Sequence, residues 1–171
     1  MAFVRPVVRA ALDRTGDPVL ALDRTNRILV EERPTGLLVT VLCGVLDLDS
    51  GVFTFANAGH EPPIHAAATG GHRWVEPAGP LLGAFRRLDL ERGEVRLGAG
   101  DVLVLYTDGI TDAATADGER FGPERFAELV DRHCRVSAAS VVEAVVGAVA
   151  AFEGPEPADD GALLVLRRAT T

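Results

Sequence analysis

The chain has 171 residues, 47% of them hydrophobic and 25% charged, with a formal net charge of -8; this is the profile of one domain with a sizeable core and excludes a disordered tail. Its longest apolar runs, such as 102–106, fall far short of the roughly 20 residues that cross a bilayer, and no basic and apolar leader follows Met1, so a cytoplasmic chain without membrane association is expected. All 17 basic residues are arginines, they are scattered, and the acidic excess repels phosphate backbones, which argues against a nucleic-acid partner.

The N-terminal third reads as helical. An amphipathic segment over 3–12 begins almost at Met1 without a capping residue, and a second helix starts at Asp17-Pro18, a cap followed by proline at the first helical position, with Val19, Leu22, Leu29 and Val30 on one face. From Leu37 the pattern turns to β. Residues 37–48 are rich in valine and leucine, Asp49-Ser50-Gly51 is a turn, and 52–57 alternates toward Gly59, which makes a hairpin. Thr69-Gly70-Gly71 separates a short strand near Ile64 from another over 72–75, residues 79–83 form a glycine-bounded rigid loop, and 88–97 holds an edge strand. Gly98-Ala99-Gly100-Asp101 turns the chain into Val102-Leu103-Val104-Leu105-Tyr106, apolar on both faces and therefore a central strand, which ends at Thr107-Asp108-Gly109.

Two helices follow. Pro123 opens one with Phe126, Leu129, Val130 and Cys134 inward, while Ser140 and Glu143 form a capping box for another whose stripe is Val142, Val145, Val146 and Val149. Gly154-Pro155 stops the last helix, and the acidic loop 153–160 leads into a closing strand over 162–166. This order predicts an α+β fold in which sheet packs on sheet and helices cover the outside. Cys43 and Cys134 lack the spacing of a zinc site or a disulfide framework and read as buried thiols.

Chemistry concentrates at three strand ends. Asp108 closes a five-residue apolar run just before a glycine, so it is either an Asp-Gly turn or a carboxylate whose cost beside a buried strand is offset by a hard cation such as Mg2+ or Mn2+. Asp159 and Asp160 precede the closing strand and are either a solvated acidic loop or a second carboxylate pair converging on the first. Asn57-Ala58-Gly59-His60 ends another strand and runs into Pro62-Pro63; it can present donors to a phosphate, or His60 can be a structural histidine bonded to backbone. His65, His72 and His133 show no paired spacing and read as surface or edge residues. The chain has no lysine, hence no P-loop, and no serine or cysteine sits where a covalent nucleophile would.

These segments, in this order, resemble the metal-dependent serine/threonine protein phosphatases, the PPM or type 2C family, in its bacterial SpoIIE-like and RsbU-like branch. The resemblance runs through residues 18–40, Ala56-Asn57-Ala58-Gly59-His60-Glu61-Pro62-Pro63, Gly79-Pro80-Leu81-Leu82-Gly83, the stretch 100–109, Phe121-Gly122, and Asp159-Asp160. It implies the family's β-sandwich flanked by helices, with Asp108 and Asp159 as metal ligands, Asp160 as their neighbour or an alternative ligand, and Asn57, Gly59, His60 and Gly109 binding substrate or shaping the site. The reaction implied is hydrolysis of phosphoserine or phosphothreonine by water activated on two Mn2+ or Mg2+ ions, without a phosphoenzyme. Its substrate would be a phosphorylated bacterial regulator of the anti-sigma-antagonist type.

The family's first strands, which carry an acidic motif and an Asp-Gly pair bridging both metals, have no counterpart here, and Gly161-Ala162 replaces the branch's hydrophobic residue and threonine. The resemblance therefore implies a single partial domain over 1–171, the C-terminal part of a phosphatase domain. It would hold at most one ion weakly and turn over little, with a non-catalytic pseudophosphatase that binds a protein partner as the alternative. Three expectations follow: Asp108 and Asp159 share a cation or its waters, the isolated chain hydrolyses little, and unpaired edges on strands 52–57 or 102–106 favour a homodimer.

Overall fold

The computed structural model describes residues 3–31, 36–153 and 160–170. Contacts within the chain group them into two units, Met1–Pro62 with Glu76–Arg96, and Pro63–Val75 with Leu97–Thr171.

The first unit holds helices α1 (Val4–Thr15) and α2 (Pro18–Glu31) and an antiparallel sheet of β1 (Val41–Leu46), β2 (Val52–Ala58) and β5 (Gly93–Arg96), in the order β1-β2-β5. Gly16 turns left-handed at the end of α1 and donates to the Leu12 carbonyl, and Asp17 then caps α2 by accepting from the N–H groups of Val19 and Leu20 at 2.8 and 3.2 Å. Burial pushes the Asp17 carboxyl up, but those N–H donors together with Arg92 outweigh it and hold it below its ordinary value. Val4, Leu22, Leu29, Val39, Cys43, Ala56, Ala58 and Leu82 form the core of this unit. The hairpin register runs from Val41 opposite Ala58 to Leu46 opposite Phe53. The strand expected over 37–48 is shorter than its composition suggests, because Leu37 and Leu38 stay outside the ladder and exposed.

In the second unit, β3 (Ile64–Ala66), β4 (His72–Trp74), β6 (Val102–Tyr106) and β7 (Leu163–Arg167) pair antiparallel in the order β4-β3-β6-β7. Helix α3 (Asp108–Thr111) follows β6 directly, and α4 (Gly122–His133) and α5 (Ala138–Glu153) complete the unit. Its core joins Ile64, Val102, Val104 and Tyr106 from the sheet to Phe126, Val130, Val141, Val145 and Val149 from the helices. The rings of Tyr106 and Phe126 lie 4.4 Å apart.

Several expectations change. Ser137, not Ser140, caps α5: its Oγ accepts from the Ser140 N–H at 3.0 Å, while the Ser140 hydroxyl meets His133 Nδ1. The buried stripe keeps the expected Val145 and Val149 but adds Val141, and Val146 is 51% exposed. His65 is no edge residue, since its Nε2 lies 3.0 Å from Asp101 and only 13% of its side chain is exposed. The strands expected to have open edges are both interior: β2 lies between β1 and β5, and β6 between β3 and β7. Self-association through those two strands therefore has no structural basis. Gly154-Pro155 and the acidic loop up to Asp159 lie outside the described residues. No described helix is long and apolar enough to cross a membrane.

Candidate active site

In the second unit the end of β6 is tied to the start of β7. The ladder pairs Tyr106 with Leu163, and one step further the Thr107 N–H donates to the Ala162 carbonyl at 3.0 Å while the Ala162 N–H donates to Thr107 Oγ1 at 2.8 Å. The next step brings Gly109 against the Asp160-Gly161 backbone: a Cβ on Gly109 would sit 2.6 Å from the Asp160 carbonyl oxygen, closer than real atoms pack. Glycine is therefore required there for close approach, and the register delivers the Asp108 and Asp160 segments to one strand end.

Asp108 is exposed and starts α3, so the desolvation cost expected at the end of a buried run does not arise. Among the described residues its carboxylate accepts one hydrogen bond, from the adjacent Gly109 N–H at 3.1 Å, and joins no ion pair. Asp160 is exposed as well. Asp159, the other expected ligand, lies outside the described residues, as does its separation from Asp108. The described residues contain no group of three or more histidines, cysteines or acids able to hold a metal. The donor chemistry nevertheless suits a hard divalent cation, because Asp108 offers carboxylate oxygen in water without an arginine already neutralising it.

In the first unit Asn57, 1% exposed, closes the turn after β2. Its Nδ2 donates to the His60 carbonyl at 2.9 Å and its Oδ1 accepts from the His60 N–H at 2.8 Å. The amide thus holds the turn that the sequence offers as a donor loop for a phosphate, and Asn57 shapes that turn. Gly59 adopts φ +69° and a Cβ there would lie 2.8 Å from Leu81 Cβ, so both the turn and the contact demand glycine. The Asn57 carbonyl accepts from the Gly79 N–H at 2.8 Å, docking the 57–60 loop on the 79–83 loop.

Sequence reasoning missed Asn26. This fully buried side chain of α2 donates from Nδ2 to the Phe85 carbonyl at 2.9 Å and accepts from the Gly83 N–H at 2.8 Å, clamping the far side of the same loop. Its signal was an asparagine, a poor helix former, inside an amphipathic helix. Asp101 was also missed: it accepts from the N–H groups of Gly98 and Ala68 and contacts His65. Burial raises its carboxyl, but these donors prevail and hold it below its ordinary value. Neither thiol is poised for chemistry, since burial pushes Cys43 up to about 11 and, aided by Asp131, raises Cys134.

The chain is 28% identical over 172 residues to the phosphoserine phosphatase RsbU of Bacillus subtilis (strain 168), an alignment that covers 98% of this chain and 51% of that protein. The chain thus spans about half the length of this relative. Among solved structures it resembles the RsbU and RsbW domains of Rv1364c from Mycobacterium tuberculosis, with 27% identity and a TM-score of 0.77 over 98% of this chain and 47% of that one. It shares the fold of the phosphatase domain of the cell fate determinant SpoIIE from Bacillus subtilis, solved after a manganese presoak, at 16% identity and a TM-score of 0.69 over 100% of this chain and 76% of that one. The family model described as Stage II sporulation protein E (SpoIIE) matches residues 1–169, and the chain belongs to that family.

Proposed function

We propose that the chain is a metal-dependent protein-serine/threonine phosphatase module of the PP2C type, acting on a phosphorylated bacterial regulatory protein of the anti-sigma-antagonist kind. The observation that carries this reading is the β6–β7 strand end, where Gly109 packs against the Asp160-Gly161 backbone and the preceding Asp108 is exposed with no arginine paired to it among the described residues. In this reading Asp108 and Asp159 hold Mn2+ or Mg2+ and Asp160 assists or substitutes. The metal, when bound, supplies a water polarised for attack on phosphorus. Gly109 keeps the two carboxylate segments in contact, while the Asn57–His60 turn, with Gly59, shapes the neighbouring loop and presents His60 at its tip.

Turnover by this chain alone is expected to be slight. Two divalent ions carry four positive charges, while Asp108, Asp159 and Asp160 together offer three negative ones. The alternative reading is a pseudophosphatase that binds its protein partner without hydrolysing it. Mn2+ titration followed by electron paramagnetic resonance, together with phosphate release from a phosphoserine protein and from p-nitrophenyl phosphate, separates the two. Weak Mn2+ binding that disappears in Asp108→Asn, with slow phosphate release that disappears with it, supports the phosphatase. Partner binding indifferent to Mn2+ and to Asp108→Asn supports the pseudophosphatase.

A further inference from the structure

The 82–87 loop of the first unit is held in place from beneath and left open above. Asn26, with no exposed surface, grips Gly83 and Phe85 through two backbone hydrogen bonds, and Leu82 forms a two-bond bridge with Val39 at 3.0 and 2.9 Å. A buried amide that satisfies both its donor and its acceptor on one loop fixes that loop's course, because releasing it would strand polar groups in the core. On this rigid base Phe85 is 60% exposed, and Leu38, next to the bridged Val39, is 58% exposed. Arg86 and Arg87 follow, both exposed and both without an ion pair or hydrogen bond among the described residues. Arg92, a few positions on, is by contrast tied to Asp17.

Two adjacent arginines without a partner among the described residues, beside an exposed aromatic on a pinned loop, form a compact cationic and apolar patch in a chain of net charge -8. Arginine forks match carboxylates in a bidentate manner, and an aromatic anchor flanked by arginine is the composition that concentrates energy in protein interfaces. A pinned loop loses little conformational entropy on docking, so its contacts are not spent on ordering it. We infer that Phe85, Arg86 and Arg87, with Leu38, form a docking surface for an acidic, partly apolar segment of the protein partner. The inference rests on the phosphatase reading for the partner's identity. A long polyanion such as duplex DNA fits less well, since the acidic remainder of the chain would repel it beyond the first contacts.

The test is fluorescence anisotropy, in EDTA so that hydrolysis plays no part, with a labelled phosphoserine peptide flanked by glutamates and one leucine. Arg86→Glu/Arg87→Glu should weaken binding roughly tenfold or more and Phe85→Ala roughly fivefold, and a lysine-flanked peptide should bind far more weakly than the glutamate-flanked one. Circular dichroism melts of these surface variants should match the parent, with Arg86→Gln/Arg87→Gln as a milder second variant. Affinity unchanged within about twofold in the double reversal, or equal competition by duplex DNA or by unlabelled copies of this chain, would overturn the inference. Manganese-dependent phosphate release from the same peptide is a separate readout: its absence beside arginine-dependent binding would count against the phosphatase reading and leave the docking surface intact.

Discussion

The 57–60 loop of the first unit and the β6–β7 strand end of the second carry the two most distinctive polar motifs of the chain, and they treat polarity in opposite ways. Asn57 is 1% exposed and spends both ends of its amide on His60; Asp108 is exposed and accepts only from its own neighbour. A buried amide must be bonded internally or cost the fold its desolvation, so Asn57 serves shape. A hydrated carboxylate costs the fold little and leaves its oxygens open to a ligand, which is what the metal role proposed for Asp108 requires. Polar residues at equivalent-looking strand ends are thus told apart by where their hydrogen bonds already go.

The sharpest break between the two is metal binding. Asp108→Asn should lower Mn2+ affinity roughly tenfold or more while changing unfolding free energy by no more than about 0.5 kcal/mol, as calorimetric titration and a denaturant melt would show. Asn57→Ala should do the reverse, costing about 1–3 kcal/mol for the unpaired His60 groups with Mn2+ affinity unchanged. Equal effects on both readouts in either variant would erase the distinction. Gly109→Ala tests whether the strand end depends on close approach: a Cβ 2.6 Å from the Asp160 carbonyl should cost about 1–3 kcal/mol and, unlike Asn57→Ala, weaken Mn2+ binding too.

A smaller effect concerns acid. Asp17 in the first unit and Asp101 in the second are both held below their ordinary values. A carboxyl lowered in the folded state contributes stability that is fully present above its unfolded value of about 3.9 and lost as pH falls through its folded value. Both units should therefore weaken below about pH 4, and Asp101→Asn should flatten that acid limb while costing stability at neutral pH, as melts at stepped pH would record. The smallest expected effect is at the α5 cap, where Ser137→Ala should cost about 1 kcal/mol and Ser140→Ala less, the reverse of what the Ser140-Glu143 capping pattern suggests.

How much of this was legible in the residues varies with the range of the interaction. Asp17-Pro18, the hairpin around Asp49-Ser50-Gly51, and the strand ending at Asp108-Gly109 were readable because caps, turns and apolar runs are decided by neighbours a few positions away. The α5 cap was misassigned because two serines three residues apart both satisfy a local capping rule, and the hydrogen bond to Ser137 chose between them. Asn26 reaches a loop 57 to 59 positions away, and nothing local announces such a partner.

By itself the sequence determined the α+β class, the family and the glycine-dependent turns, since the class and turns follow from short-range sterics and residue chemistry and the family from motifs in order. Only the tertiary structure decided that β2 and β6 are interior rather than edge strands, that Asn57 turns inward, that Asn26 holds the loop bearing Phe85, and that Gly109 packs against the Asp160-Gly161 backbone. Those outcomes depend on strand pairings and side-chain bonds between distant segments, which form only when loop closure is offset by the burial of a whole unit, and that balance is a property of the assembled fold.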